Sequence, residues 1–100
     1  MILAIDVGNT NIVLGVYQGK RLVVNWRIST NRQTTADEYG ILIKDLFNYA
    51  RINSNEIKAV VVSSVVPPLM SSLSKMSTKY FCVEPLIVGP GVKTGISIKY

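Results

Sequence analysis

Histidine is missing from the sequence altogether, and cysteine occurs once. Without histidine there is no histidine triad, no H-E-x-x-H zinc site and no imidazole base among these residues. A single cysteine, Cys82, forms no internal disulfide. It fits a reducing cytoplasmic setting and is expected to be a small, buried apolar side chain. No apolar stretch reaches the length of a transmembrane span. The apolar start is broken by Asp6 and lacks a basic leader, so it does not read as a signal peptide. Neither a Walker A lysine motif nor G-x-G-x-x-G occurs, which leaves those nucleotide folds unsupported. Charged residues make up only 17% of the chain, and the net charge is +5. The basic residues are scattered from Lys20 to Lys99 without a run or helical stripe, so no nucleic-acid surface is expected.

What is present is a folded chain of one domain: 100 residues, 48% hydrophobic, with room for a real core. Its most informative stretch comes first. Ile2-Leu3-Ala4-Ile5 reads as a buried strand and Asn11 to Tyr17 as a second. Between them lies Asp6-Val7-Gly8-Asn9-Thr10, with a Gly-Asn turn of the type that joins antiparallel strands. An aspartate at the end of a buried strand loses water and needs a donor, a cation or a hydrated metal as partner. Gly8 lets the backbone approach a ligand, while Asn9 and Thr10 add polar groups beside exposed N–H donors. The cluster suits phosphate oxygens, with Asp6 placed to hold magnesium through its waters. Ordinary turn chemistry also explains an Asx residue and a glycine at a hairpin. The N-terminal strand before it and the meander after it favour the phosphate site.

The rest of the chain alternates simple signals. Gln18-Gly19-Lys20 is a turn. Arg21 to Ser29 predicts a third strand with Leu22, Val24, Trp26 and Ile28 on one face, Trp26 serving packing. Ser29 to Gln33 is a polar loop. Thr35 with Glu38 forms a capping box, and Asp37 suits the positive end of a helix dipole. Tyr39, Leu42, Ile43, Leu46, Phe47 and Ala50 then make one apolar helical face, stopped by Asn53-Ser54-Asn55. Ile57 to Val62 predicts a central strand ending in Ser63-Ser64. These serines either face a ligand crevice or cap the turn. Pro67 or Pro68 starts a second helix with Leu69, Leu73, Met76 and Tyr80 as its stripe. Met70 and Met76 read as core filler. Pro85 to Val88 is a further strand, Gly89-Pro90-Gly91 a turn, and Ile96 to Tyr100 a last extended piece. The order is β-β-β-α-β-α-β, an α/β ribonuclease H-like (actin-like ATPase) lobe with a mixed sheet.

Asp6-Val7-Gly8-Asn9-Thr10-Asn11, Thr35-Ala36-Asp37-Glu38-Tyr39 and Ser63-Ser64-Val65-Val66-Pro67, in this order and at this spacing, resemble the N-terminal lobe of a type III pantothenate kinase. That family belongs to the actin-like ATPase and sugar-kinase superfamily. The resemblance implies a homodimeric cytoplasmic enzyme that phosphorylates pantothenate from ATP, the first step of coenzyme A biosynthesis, with magnesium and a monovalent cation (potassium or ammonium). It implies that Asp6, Val7, Gly8, Asn9, Thr10, Asn11, Ile12 and Val13 form the ATP phosphate-binding hairpin, with backbone N–H groups from Gly8 to Asn11 and the Thr10 hydroxyl on the phosphates. It also implies that Tyr100 contacts pantothenate. The family's Gly-x-Asp-Arg motif with the catalytic aspartate, its cation site and its second lobe are not among residues 1–100. No turnover is therefore expected of this single lobe alone. Partners are expected to be ATP, pantothenate and a second copy, with no nucleic acid and no membrane. The alternatives are a ribonuclease H-like nuclease and a non-enzymatic nucleic-acid-binding regulator. Ser63-Ser64 in place of carboxylates argues against the first, and the scattered basic residues against the second.

Overall fold

The apolar alternation of the first strands is realised as a meander. In a computed structural model, which describes residues 1–88, β1 (Ile2–Val7), β2 (Asn11–Gln18) and β3 (Arg21–Ser29) pair antiparallel in sequence order. Helix α1 (Ala36–Ala50) and a short 3-10 turn (Ser54–Glu56) lead to β4 (Ala59–Ser64). Helix α2 (Pro68–Phe81) leads on to β5 (Leu86–Val88). β4 adds parallel to β1, and β5 parallel to β4. The five-stranded sheet has the order β3-β2-β1-β4-β5, which gives the β-β-β-α-β-α-β sequence of elements expected from the residues. The turn at 89–91 and the extended piece at 96–100, including Tyr100, lie outside the described residues.

Period-two alternation sorts the strands into two faces. Leu3, Ile5 and Val7 of β1, Ile12, Leu14 and Val16 of β2, and Val60 and Val62 of β4 are buried. They share one core cluster with Tyr39, Ile43 and Phe47 of α1 and Leu69, Leu73, Met76 and Phe81 of α2. Both helices therefore cover the same face. Trp26 packs as expected, its ring 5.9 Å from that of Phe47. The opposite face carries Ala4, Asp6, Val13, Gly15, Tyr17, Leu22 and Asn25 around a shallow groove.

The helix ends explain where the helices stop. Thr35 caps α1: its hydroxyl accepts the Glu38 N–H and the Glu38 carboxylate accepts the Thr35 N–H, as the capping box predicts. Arg51 and Cys82 close the two helices in left-handed conformation, at φ 61° and φ 57°. Across the helices, Asp37 accepts hydrogen bonds from Lys79 at 2.8 Å and from the Tyr80 hydroxyl at 2.7 Å.

Several expectations change. Leu22 does not share a face with Val24, Trp26 and Ile28. A bulge between Val16 and Tyr17 shifts the β2–β3 register, so Leu22 lies against Gly15 and Tyr17 on the far face and is 42% exposed. Cys82 is exposed, because the left-handed residue that ends α2 points away from the helix stripe. The buried stripe of α2 finishes with Ser77 and Phe81, and Tyr80 is only partly buried against it. β4 begins and ends two residues later than predicted: Ile57 is buried but belongs to the end of the 3-10 turn, and both serines lie within the strand. Leu42 is 37% exposed, so the covered stripe of α1 is narrower than its apolar one.

Candidate phosphate-binding hairpin

The loop between β1 and β2 is built from one-sided hydrogen bonding. The Gly8 N–H donates to the Asn11 carbonyl at 2.8 Å. The reciprocal bond, from the Asn11 N–H to the Gly8 carbonyl, is not made. The Gly8 carbonyl instead accepts the Thr30 hydroxyl at 2.8 Å, and the Thr10 carbonyl accepts the Thr30 N–H at 3.0 Å. On the other flank, the Val7 carbonyl accepts the Val65 N–H at 3.1 Å. Among the described residues, the N–H groups of Asn9, Thr10 and Asn11 therefore have no hydrogen-bond acceptor. Three consecutive N–H donors at one loop are a fitting receptor for an anion.

Two features of this loop differ from the expectation. A Gly-Asn turn between antiparallel strands normally has left-handed residues, but neither Gly8, Asn9 nor Thr10 has a positive φ. Gly8 is needed for a different reason: a Cβ there would stand 3.1 Å from the Asn11 carbonyl oxygen, so a side chain would press on the closing hydrogen bond. And because the Gly8 N–H is engaged within the hairpin, the available donors begin at Asn9.

Asp6 is exposed, not desolvated as its place in an apolar strand suggested. It is the residue of β1 that alternation turns away from the helices, between the buried Ile5 and Val7. Its register partners are Val13 on β2 and Ser63 on β4. Its side chain therefore lies on the sheet face away from the helices, close in sequence to the N–H donors. Val7 and Ile12 are each at most 1% exposed; their side chains belong to the core, and only their backbone serves the hairpin. Val13 is half-buried beside Asp6. The Thr10 hydroxyl accepts a 3.3 Å contact from the Asn11 side-chain amide and remains exposed.

Of the two alternatives for the serines, the capping one is met by Ser64: its hydroxyl accepts the Val66 N–H at 2.9 Å. Ser63 is 7% exposed and stands opposite Asp6. Tyr100 lies outside the described residues. Among the described residues no group of three His, Cys, Asp or Glu side chains is placed to hold a metal.

Thr30 is the residue that the sequence concealed. It sits in a polar loop with no motif around it. Counting back from the Gly19 turn without a bulge puts Ser29, not Thr30, opposite Thr10; the bulge at Val16 and Tyr17 moves the pairing on by one.

The family profile described as type III pantothenate kinase matches residues 2–100. A type III pantothenate kinase of Geobacter sulfurreducens is 58% identical over all 100 residues, and one of Myxococcus xanthus 59%; the chain covers 39% of each. It thus spans about two fifths of the length of the curated relatives that it matches. Among solved structures, a ROK hexokinase from Thermus thermophilus superposes with a TM-score of 0.64 at 15% identity, over 88% of this chain and 34% of that one. RuvC from T. thermophilus, solved with a Holliday junction substrate, gives 0.62 at 20% identity, over 96% and 69%. At such identities these structures speak to the fold alone, an α/β fold of the ribonuclease H-like (actin-like ATPase) kind. The match of the family profile over residues 2–100 establishes that the chain belongs to the type III pantothenate kinase family.

Proposed function

We propose that this chain is the ATP-phosphate-binding lobe of a pantothenate kinase that converts ATP and pantothenate to phosphopantothenate, the first step towards coenzyme A. The observation that carries the proposal is the row of N–H groups at Asn9, Thr10 and Asn11, which find no acceptor among the described residues, next to Asp6 at the end of β1. Phosphoryl transfer asks a protein mainly for positioning and charge stabilisation. The N–H row and the Thr10 hydroxyl bind phosphate oxygens. Asp6 orients the magnesium that accompanies ATP, and the metal supplies neutralisation of phosphate charge. Tyr100 is the proposed pantothenate contact. The monovalent cation, potassium or ammonium, the catalytic aspartate and the second lobe come from residues beyond these 100, and the enzyme works as a cytoplasmic homodimer. The 58–59% identical relatives described as pantothenate kinases support this substrate pair.

A nuclease of the same half-fold is less well supported. Such an enzyme gathers several carboxylates around two metals, whereas the register partner of Asp6 on β4 is Ser63. The test is Asp6→Asn in a protein of the relatives' length. The exposed, near-isosteric replacement keeps the fold, and turnover drops by about 10²-fold or more. Near-normal kinase activity in a folded Asp6→Asn enzyme would falsify the role given to Asp6.

A further inference from the structure

We infer that Thr30 is a positioning residue whose hydroxyl keeps the hairpin in its anion-accepting form; the inference rests on the phosphate-binding role proposed above and adds the device that maintains it. Two carbonyls, those of Gly8 and Thr10, are turned onto this one residue, at 2.8 Å and 3.0 Å. In a planar trans peptide the N–H points opposite to the carbonyl. Thr30 therefore aims the N–H of Asn9 and the N–H of Asn11 away from itself. The second consequence is a competition. The Gly8 carbonyl is the natural acceptor for the Asn11 N–H, because the Gly8 N–H already donates to the Asn11 carbonyl across the hairpin. Antiparallel partners of this kind ordinarily exchange both bonds. The Thr30 hydroxyl occupies that carbonyl, and the Asn11 N–H is left over for a ligand.

Removing the hydroxyl while keeping the shape resolves the competition the other way. In Thr30→Val the Thr30 N–H bond to Thr10, and with it the strand register, is retained. The Gly8 carbonyl loses its side-chain donor and turns to the Asn11 N–H, because a carbonyl without a partner is costly. The hairpin closes on itself and one phosphate donor disappears. Thr30→Ser restores the hydroxyl and with it the open form. A merely structural threonine would show a different pattern: lost stability without a specific change at the Asn11 amide.

The experiment follows the backbone amides of a protein of the relatives' length by two-dimensional NMR, with hydrogen exchange and titration by magnesium-ATP and by pyrophosphate. In the unsubstituted chain the Asn9, Thr10 and Asn11 amides shift on titration, and the Asn11 amide exchanges readily. In Thr30→Val the Asn11 amide gains protection and the apparent affinity for both ligands falls about tenfold, the worth of one charge-assisted hydrogen bond. Thr30→Ser behaves as the unsubstituted chain. If these amides fail to respond to either ligand in the unsubstituted chain, the phosphate-binding role is wrong and Thr30 has nothing to position. If they respond and Thr30→Val titrates and exchanges unchanged, the role of the hairpin stands and the inference about Thr30 is overturned. If Thr30→Val unfolds, Thr30→Ser decides the matter: a folded Ser variant with lost affinity or a protected Asn11 amide also overturns it.

Discussion

Gly40→Ala offers a test in which two well-founded rules predict opposite signs. Gly40 lies inside α1 and is buried. By helix propensity alone, alanine there should stabilise by about 1 kcal/mol. The packing says otherwise. A Cβ on Gly40 would stand 2.4, 2.5 and 2.6 Å from three ring carbons of Tyr80 on α2, well inside van der Waals contact. Overpacking of this kind costs about 1–3 kcal/mol. The Tyr80 ring is not free to retreat without loss, since its hydroxyl donates to Asp37. The expected net change is therefore a destabilisation of about 0–2 kcal/mol instead of a gain, the difference between those two magnitudes. The urea midpoint at constant slope reads it directly. Tyr80→Ala removes the obstacle, so in that background Gly40→Ala should stabilise by about 1 kcal/mol, and the cycle should show coupling between the two sites. A Gly40→Ala chain that is more stable than the parent while Tyr80 is present would refute the packing account of this helix pair.

The other predictions are smaller. Thr35→Ala removes the α1 cap and should cost about 1 kcal/mol without changing nucleotide affinity; a selective loss of ATP binding would mean that Thr35 belongs to the site. Lys79 and Tyr80 hydrogen bonds hold the Asp37 carboxyl below its ordinary value of 3.8. A depressed carboxylate contributes stability that is complete above that value and lost as pH falls through the folded one. Asp37→Asn should therefore lower stability at neutral pH and converge with the parent once pH has fallen below the depressed folded-state value, and parallel curves down to the acid limit would count against the contact. Residues 1–100 alone should form no phosphopantothenate from ATP and pantothenate above background, and measurable turnover would require a proton acceptor that these residues do not offer.

Much of this protein is written locally. Period-two runs of Ile, Val and Leu place β1 and β2, and a 3.6-residue apolar stripe places α1 and α2. Thr35 with Glu38 marks the helix start to the residue, because a capping box is satisfied within four residues of chain. The Asp6 to Asn11 cluster is equally legible, since it too is contiguous. What the sequence leaves undecided depends on residues far apart in the chain. Asp6 looks like a buried carboxylate in an apolar run, yet which face of a strand is covered depends on where the helices settle. The boundaries of β4 shift because pairing with β1, not intrinsic preference, decides which residues are in the strand. The role of Thr30 depends on a bulge at Val23, which Val24 and Leu22 flank in their pairing with Val16 and Tyr17, and a bulge leaves no reliable mark in composition. Asp37 likewise serves its own helix end by sequence and reaches Lys79 and Tyr80 only through the packing of α1 on α2. Hydrogen bonds along the chain are fixed by spacing; those between elements exist only once the sheet register and the helix packing bring their atoms within 3 Å or so.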